Sequence, residues 1–474
     1  MTSQTIAVIG AGFSGTLLSL HLLDRAPPGA RIVLIERSGS FGPGLAYSTC
    51  NSNHLLNVPA GRMSAFEYRP RDFVDWLERQ PAQVLDGVDP TEGTFVPRRL
   101  FGAYLRHLLN AALLRQTSNT LELKHDNVTA IEQAQHGLIL HLTSGQLVRA
   151  DRAVLAAGNQ RPEPVPVDEP SFYSSPLWRH DALAANAFSD LPRDAPLLLI
   201  GTGLTMVDAV ITLLDQGHVG PIHALSRRGL LPRAHVSALS VSKFEPPVYP
   251  TDIGELIRLL RKQVECAIAA GHAWQPVIDA LRPFTQGLWQ TMPANQRKRF
   301  LRHLRPWWDV YRHRMPQLIA ARIDAARLSG QLRVCAGRIC GYDLTDRMVN
   351  VRFRPRGNGQ TATLCVSRVI NCSGPATDYQ RIADPLVQNL LSAGLARPDA
   401  FRLGLDVADT CELRSRTGKV SQRLFAVGPL TRGAFWEITA VPDIRSQCET
   451  LSMHVSGLMQ AQTAKRRRGL RYAA

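Results

Sequence analysis

Three glycines near the start of the chain have the spacing of a phosphate-binding turn. Gly10, Gly12 and Gly15 follow an apolar run, residues 6–9, and precede residues 16–23, which are apolar and have helical character. In this order of strand, turn and helix, the first glycine permits a tight turn and the second lets the backbone approach a pyrophosphate. The third lets the helix pack closely on the strand. The pattern therefore predicts a bound dinucleotide.

The elements around this turn supply two further contacts for a dinucleotide. The start of the helix that follows the turn offers free N–H groups and a partial positive charge to phosphates. A second apolar strand, residues 31–35, ends at Glu36, about 20 residues beyond Gly15, where a carboxylate can accept hydrogen bonds from ribose hydroxyls. The alternative is a glycine-rich turn that binds no ligand.

The same order of elements returns in the second half of the chain. Residues 196–200 are apolar, and Gly201 and Gly203 follow them. A helical pattern comes next, with Met206 where a third glycine would stand. The repetition predicts a second dinucleotide-binding unit, although Met206 departs from the three-glycine pattern.

The second strand of this repeat ends in two basic residues instead of an acid. Arg227 and Arg228 directly follow residues 221–226. Guanidinium groups at this position accommodate the 2′-phosphate of NADPH, whereas Glu36 fits a ribose with free hydroxyls. The simplest assignment is FAD in the first unit and NADPH in the second, with hydride transfer from nicotinamide to flavin. NADH stays open, because an arginine can also stack on adenine.

Shorter strands are expected to complete each repeat. In the first half they include a small β-meander that returns to the parallel sheet, at residues 121–124, 127–131, 137–142, 147–150 and 153–157. The corresponding segments of the second half are residues 332–335, 338–342, 349–353 and 369–374. The duplication predicts an α/β protein with two Rossmann-like units.

The predicted domain boundaries follow from this duplication. Residues 1–164 and 376–474 are expected to form the FAD-binding domain, and residues 165–245 and 317–375 the NAD(P)H-binding domain. Residues 246–316 have helical periodicity and many aromatic and basic side chains. This helical insertion is expected to act as a lid or as a subunit contact.

Composition and charge narrow the class of protein. The 474 residues carry a formal net charge of +16, but no recognisable nucleic-acid-binding module interleaves basic with aromatic residues. The charge instead indicates an anionic cofactor and an anionic substrate. Outside the glycine-broken start of the chain, no apolar run reaches the about 18 residues of a membrane helix. The eight cysteines lack a CxxC pair, so no metal site is predicted, and a cytoplasmic protein with reduced thiols is expected.

Six segments together resemble one known family. They are residues 10–15 (GAGFSG), 54–63 (HLLNVPAGRM), 201–208 (GTGLTMVD), 226–229 (SRRG), 370–375 (INCSGP) and 436–445 (WEITAVPDIR). With these motifs, nearly the whole chain resembles the FAD/NAD(P)-binding family of HpyO-type FAD-dependent urate hydroxylases and CreE-type amino-acid N-monooxygenases. The resemblance implies an external flavin monooxygenase. In such an enzyme NAD(P)H reduces FAD, O₂ adds to give a flavin hydroperoxide, and the distal oxygen passes to a nucleophilic substrate atom.

The resemblance favours urate as the substrate, hydroxylated at C5 to 5-hydroxyisourate in purine catabolism, because chain length and architecture look like the urate branch. The alternative is an amino-acid N-hydroxylase acting on a substrate such as aspartate or ornithine. Charge does not separate aspartate from urate, since both are anions. A further alternative is an NAD(P)H oxidase or reductase that transfers no oxygen. The sequence has no CxxC disulfide beside the flavin to support glutathione-reductase-like chemistry. Oligomeric state stays open.

The resemblance also implies the cofactor contacts. Those for FAD are Gly10, Gly12, Gly15, Glu36, Gly158, Gly428, Thr439 and Ala440, and those for NAD(P)H are Gly201, Gly203, Arg227 and Arg228. Further cofactor contacts are Phe13, Ser14, Arg37, Asn57, Val128, Leu204, Thr205, Gly374 and Pro429. A helix is expected from Pro442, and its first N–H groups can face an electron-rich ring oxygen of the flavin.

Four residues are candidates for the chemistry itself. The amide of Asn57 can hydrogen-bond a hydroperoxide, and His54 can take a proton from substrate near neutral pH. Arg62 can pair with an anion, and Glu437, beside the expected flavin edge, is a candidate base. The structural alternatives are a turn amide for Asn57, a packed histidine for His54 and an ordinary salt bridge for Arg62.

Overall fold

The computed structural model describes residues 4–115, 118–184, 186–236 and 248–472, with side chains up to residue 464. The chain divides into two units. The first unit comprises Met1–Cys50, Val58–Gln160 and Thr377–Ala474, and the second comprises Asn51–Asn57 and Arg161–Ala376. The predicted boundary between the NAD(P)H-binding domain and the helical insertion falls in residues 237–247, which lie outside the described residues.

The strands and helices are numbered in chain order. The strands are Thr5–Ile9 (β1), Arg31–Glu36 (β2), Thr120–His125 (β3), Val128–Ala134 (β4), Gly137–Leu142 (β5), Leu147–Ala150 (β6), Arg152–Leu155 (β7), Trp178–Arg179 (β8), Leu197–Ile200 (β9), Ile222–Ser226 (β10), Leu332–Leu344 (β11), Val349–Pro355 (β12), Ala362–Val366 (β13), Arg368–Asn371 (β14), Glu412–Arg414 (β15) and Val420–Ala426 (β16). The helices are Phe13–Arg25 (α1), Asp72–Glu78 (α2), Ala82–Leu85 (α3), Arg98–Leu114 (α4), Leu204–Asp215 (α5), Ile253–Ala269 (α6), Gln275–Ala280 (α7), Thr285–Thr291 (α8), Ala294–Arg299 (α9), Arg305–Arg312 (α10), Gln317–Leu328 (α11), Pro385–Ser392 (α12) and Val441–Tyr472 (α13).

The first unit is built on a sheet with the strand order β15-β16-β7-β1-β2-β3. Its strands from β16 to β3 run parallel, and β15 pairs antiparallel with β16 at one edge. A separate antiparallel sheet, β4-β5-β6, contains three segments of the predicted β-meander, whereas its first segment, residues 121–124, lies in β3 of the parallel sheet. α1 packs on α13, where the Cys448 thiol lies 3.4 Å from the Ser14 carbonyl oxygen and Arg25 pairs with Glu449 at 2.6 Å.

The second unit is built on a sheet with the order β13-β12-β11-β10-β9-β14-β8. The strands from β11 to β8 are parallel, and the far half of β11 turns into an antiparallel meander with β12 and β13. The prediction of two separate strands at residues 332–335 and 338–342 was wrong, because β11 is one strand. Its register shifts between Ile339 and Gly341, and such a bulge increases local twist. A bulged strand can therefore serve both the parallel sheet and the meander.

The two sheets repeat one frame. Ile9 pairs with Ile35 on one side and Leu155 on the other. Ile200 holds the same place between Leu225 and Asn371. β1, β2 and β7 thus correspond to β9, β10 and β14, which confirms the predicted α/β class with two Rossmann-like units.

The helices α6 to α10 lie within residues 246–316, for which helices were predicted. α6 begins after Asp252, whose Oδ1 accepts hydrogen bonds from the N–H groups of Gly254 and Glu255 at 2.9 and 3.0 Å. This N-cap satisfies two of the donors that a helix start leaves open. The helices enclose a small core of their own, formed by Tyr249, Ile253, Leu256, Leu281 and Met292. Among the helices in the described part of the chain, none is both long and apolar enough to cross a bilayer.

Candidate functional site

The first glycine turn allows no side chain at two of its three positions. Gly10 has a φ of 103°, and a Cβ there would lie 2.5 Å from the carbonyl oxygen of Ala156 at the end of β7. A Cβ on Gly15 would collide with the carbonyl oxygen of Gly10. Gly10 therefore makes the tight turn, and Gly15 permits the close approach of α1 to β1.

Gly12 leaves the start of α1 open. It is the N-cap residue and provides no side-chain cap, and a Cβ there would meet only the Cα of Gly44, at 3.5 Å. The first N–H groups of a helix, here those near Phe13 and Ser14, have no acceptor within the helix. The Gly42 N–H donates to the Ala11 carbonyl at 2.8 Å, which ties the following glycine-rich loop to the turn. The helix start is thus suited to bind a pyrophosphate.

Glu36 stands beside the turn as predicted. Its Oε2 accepts a hydrogen bond from the Ala11 N–H at 2.8 Å, and its Oε1 accepts from the N–H and hydroxyl of Ser38. A carboxylate has about four lone-pair sites, so it can also accept from a ribose hydroxyl. Arg37, the next residue, instead pairs with Asp384 at 3.3 Å on the surface.

The carboxyl end of β16 meets the start of α1. Gly428 has a φ of 77°, and a Cβ there would lie 2.7 Å from the hydroxyl oxygen of Ser14. Its N–H donates to Gln447 Oε1 at 2.7 Å, and the Gln447 amide donates to the buried Thr431 hydroxyl at 2.9 Å. Pro429 follows in a 3₁₀ turn. This buried network holds the last loop of the first unit against the glycine turn.

Other predicted contacts of the first unit lie on its connections. Gly158 follows β7 with a φ of 65°. Val128 starts β4, and its side chain is buried. Thr439 and Ala440 come directly before α13, which begins at Val441, one residue before the predicted Pro442.

The second glycine turn reproduces the first. Gly201 has a φ of 111°, and a Cβ there would collide with the carbonyl oxygen of Cys372 at the end of β14. Gly203 is the N-cap of α5 without a side-chain cap, and no atom lies within 4 Å of its Cβ position. Leu204 and Thr205 form the first turn of α5, whose N–H groups can receive a second pyrophosphate.

Met206 explains how the second turn works without a third glycine. Its side chain is fully buried in the core of the second unit, whereas Gly15 lies against the backbone of its own turn. At this position α5 places the Met206 side chain in the core, whereas α1 has Gly15 and brings its backbone close to Gly10.

Ser226 holds the position of Glu36 in the second frame, because it follows Leu225 as Glu36 follows Ile35. Its hydroxyl oxygen lies 2.9 Å from the Thr202 hydroxyl and accepts from the Gly229 N–H at 3.0 Å. Sequence reasoning missed Ser226 and Thr202, although aligning the two strand ends would have found Ser226. Two hydroxyls thus take the place of a carboxylate.

Two arginines, Arg227 and Arg228, follow Ser226. Arg227 is exposed and Arg228 is half-buried. Neither guanidinium makes a hydrogen bond or ion pair with any residue that the structure describes. Gly374, with a φ of 87°, lies three residues beyond Asn371 as Gly158 lies three beyond Leu155. The second strand end thus offers positive charge where the first offers a carboxylate.

The four candidates for the chemistry fall in different units. His54 and Asn57 belong to the second unit, and Arg62 and Glu437 to the first. His54 is buried, and its Nε2 lies 2.8 Å from the Thr212 hydroxyl oxygen and 3.1 Å from the Asp208 carbonyl oxygen. These contacts with α5 favour a structural role for His54, as a packed side chain, over a role in taking a proton from the substrate.

The other three candidates have distinct settings. The Asn57 carbonyl lies 3.1 Å from His235 Nε2, and its side chain is half-buried. Arg62 ends a 3₁₀ turn and is exposed. Glu437 is 1% exposed with a φ of 68°, and its carbonyl accepts from the Thr439 N–H at 2.6 Å. A non-glycine residue in this left-handed conformation is strained, which is common beside ligands.

Comparison with known proteins agrees with the first of these turns and with the fold as a whole. A family model described as FAD-NAD(P)-binding matches residues 7–160, which include the first glycine turn and Glu36. No curated protein sequence matches the chain. Solved structures match over nearly the whole length. The chain has the fold of FAD/NAD(P)-binding flavoenzymes.

Three of these structures illustrate the range of enzymes that have a similar fold. A Kutzneria sp. 744 ornithine N-hydroxylase with reduced FAD, NADP⁺ and L-ornithine has a TM-score of 0.66 and 14% identity, over 98% of this chain and 100% of that one. The ornithine hydroxylase of Pseudomonas aeruginosa has a TM-score of 0.65 and 15% identity, over 97% and 99%. Thioredoxin reductase of Lactococcus lactis has a TM-score of 0.54 and 11% identity, over 97% and 100%. At these identities the likeness concerns the fold, which hosts more than one chemistry.

Proposed function

We propose that the protein is a flavin monooxygenase that uses FAD, NAD(P)H and O₂ to hydroxylate an amine nitrogen of an amino-acid substrate. The observation that carries the two-cofactor part is the pair of glycine turns. They share one backbone geometry but end in opposite charges, with Glu36 beside the first turn and Arg227 and Arg228 beside the second. Two dinucleotides with different ribose ends account for that difference.

The choice of an amine nitrogen is supported by the two ornithine hydroxylases among the similar folds. Urate, predicted from the family resemblance, finds no support among these structures. N-hydroxylation therefore replaces urate hydroxylation as the leading proposal. Because a thioredoxin reductase has a similar fold, a reductase that transfers no oxygen is the second candidate function. The sequence, however, lacks the CxxC pair of a disulfide-reducing site.

The residues of this chain have defined tasks in the proposed reaction. FAD, when bound, supplies the redox chemistry that links NAD(P)H to O₂. The start of α1 at Gly12 binds its pyrophosphate, and Glu36 receives its ribose hydroxyls. The start of α5 at Gly203 binds the second pyrophosphate, and Arg227 with Arg228 receives the 2′-phosphate of NADPH. We assign Glu437, a buried carboxyl group in the loop that precedes α13, as the candidate base.

A substrate screen on the purified, flavin-loaded protein tests the proposal. NADPH oxidation is measured with L-ornithine, L-lysine, L-aspartate and urate, and peroxide is counted against hydroxylated product. We expect one amino acid to stimulate NADPH oxidation with little free peroxide. Coupled turnover with urate alone would restore the urate hypothesis. Peroxide alone with every compound would identify an oxidase, and a colourless protein that takes up no FAD would contradict the whole proposal.

A further inference from the structure

Arg314 is a buried guanidinium in the second unit whose hydrogen bonds are incomplete. It lies between α10 and α11, and its side chain is only 3% exposed. Its Nη2 donates to both carboxylate oxygens of Asp279, on α7, at 2.6 Å. Its Nε and Nη1 are buried and meet no acceptor among the residues that the structure describes. A guanidinium has only donors and stays charged, so within the described part of the chain these two N–H groups are left to bind a further acceptor.

One aromatic ring lies beside this guanidinium and packs against a second. Its Cζ lies 5.8 Å from the centre of the Trp274 ring. The Trp274 ring meets Tyr311 edge to face, with 5.0 Å between the ring centres. Aromatic side chains beside a precisely placed charged donor are common in small-molecule sites.

The backbone places Arg314 near the ligand-binding edge of its sheet. The next residue, Met315, donates to the Arg233 carbonyl at 2.8 Å and accepts from the His235 N–H at 2.9 Å. Residues 227–236 leave the carboxyl end of β10, and the Leu230 carbonyl in this stretch lies 2.6 Å from the Thr202 hydroxyl of the glycine turn. In open parallel sheets, ligands bind beyond the carboxyl ends of the strands.

The positive charge around Arg314 comes from guanidinium groups, because the neighbouring His235 is uncharged. Burial, and then the charge of Arg314, lowers the pKa of His235 to about 4. The imidazole is therefore neutral at pH 7, and its Nε2 lies 3.1 Å from the Asn57 carbonyl oxygen. Asp279 is 34% exposed, so water screens part of its charge. An added anion is thus only partly opposed by Asp279.

We propose that Arg314 binds the carboxylate of a small-molecule ligand through its Nε and Nη1. A carboxylate is the acceptor that forms charge-assisted hydrogen bonds with a guanidinium most readily. Asp279 holds the side chain in position from the Nη2 side. The identification of this ligand with the amino-acid substrate rests on the proposed N-hydroxylase function, whereas the carboxylate site itself does not.

Matched pairs of ligands test the proposal by isothermal titration of the full-length, flavin-loaded protein. L-ornithine is compared with putrescine, L-lysine with cadaverine, and L-aspartate with β-alanine. The first two pairs differ only in the α-carboxylate, and L-aspartate carries one carboxylate more than β-alanine. We expect at least one amino acid to bind about 10-fold or more tightly than its decarboxylated partner. If every pair binds equally, or no amino acid binds at millimolar concentration, the proposal is overturned.

Two substitutions then locate the site. Arg314→Gln should weaken the amino acid that binds by about 10- to 100-fold and change its decarboxylated partner less than twofold. Equal loss for both partners would show that Arg314 acts only on the fold. Arg297→Gln is the matched control, because Arg297 also lies in the insertion, but its Nε and Nη2 already donate to the carbonyls of Met292 and Gln290.

A third variant keeps the test decisive if Arg314→Gln does not fold. Asp279→Asn removes the opposing negative charge, while the amide oxygen can still accept from Nη2 and hold Arg314 in position, so amino-acid binding should tighten by about two- to fivefold. Weaker or unchanged binding in Asp279→Asn would contradict the site. Carboxylate binding without coupled NADPH oxidation would sink the N-hydroxylase function and leave this site standing. Coupled hydroxylation that Arg314→Gln does not affect would do the reverse.

Discussion

Gly10 and Gly201 occupy the same position in two copies of one backbone frame. Their φ angles are 103° and 111°, and the N–H group of each donates at 2.8 Å to the neighbouring strand, at Ile35 and Leu225 respectively. In both, a Cβ would strike the carbonyl oxygen that ends the strand on the other side. The duplication therefore extends to single hydrogen bonds, and each copy can be tested separately.

Alanine at either glycine should disable one cofactor and spare the other. Gly10→Ala is expected to lower the bound FAD at least tenfold, because strain and collision at such positions cost about 1–3 kcal/mol each. Gly201→Ala should keep FAD and raise the KM for NADPH. Absorption of bound flavin and steady-state kinetics check these outcomes. Gly93→Ala, at a glycine without a positive φ and with no atom near its Cβ position, is the control.

Removing the arginine pair should distinguish the two nicotinamide cofactors. Arg227→Ala combined with Arg228→Ala is expected to raise the KM for NADPH by about 10- to 100-fold and the KM for NADH only slightly, since charge-assisted contacts to the 2′-phosphate are lost. Initial rates with both cofactors measure the ratio. Arg333→Ala, near the amino end of β11, is the control. Equal increases for both cofactors would remove the phosphate assignment.

Replacing Ser226 by an acid should give the second strand end the carboxylate that Glu36 provides in the first unit. Ser226→Asp places a carboxylate at the strand end, so repulsion of the 2′-phosphate should raise the KM for NADPH while the KM for NADH stays within about threefold. Ser226→Ala removes the hydroxyl without adding charge and serves as the comparison. If Ser226→Asp and Ser226→Ala behave alike, the strand end does not read the ribose.

Acid should destabilise the protein through two buried histidines. Burial, and then the charge of Arg25, lowers the pKa of His21 to about 4, and His235 has a similarly lowered pKa. The unfolded state, with a pKa near 6.5, binds protons first, so the stabilisation is full above about pH 6.5 and is lost as the pH falls toward 4. Each histidine should account for up to about 3 kcal/mol. Denaturant unfolding between pH 7 and 4 measures this, and His21→Gln should flatten the profile, whereas His136→Gln should not.

The sequence predicts the two glycine turns well because their signals are local. Strand, glycine and helix follow one another within about 15 residues, and steric rules at Gly10 and Gly201 leave little choice. The helix from Ile253 to Ala269 is likewise marked by its periodicity and its Asp252 cap.

Contacts between distant segments could not be predicted in the same way. His54 meets Asp208 and Thr212 more than 150 residues further along the chain, and nothing near His54 announces them. The incomplete hydrogen bonding of Arg314 is equally invisible, because it depends on where Asp279 lies. The sequence predicts two short strands in place of β11, because the bulge that joins them into one strand has no local sequence signal.

The strand β16 has a consequence for how the protein is made. It lies between β15 and β7 in the first sheet, yet about 265 residues of chain separate it from β7. A ribosome therefore releases the whole second unit before the first sheet can close. Until then the edge of β7 is unpaired, and the face of α1 that α13 later covers is exposed. A nascent chain stalled before residue 420 should therefore be bound preferentially by chaperones.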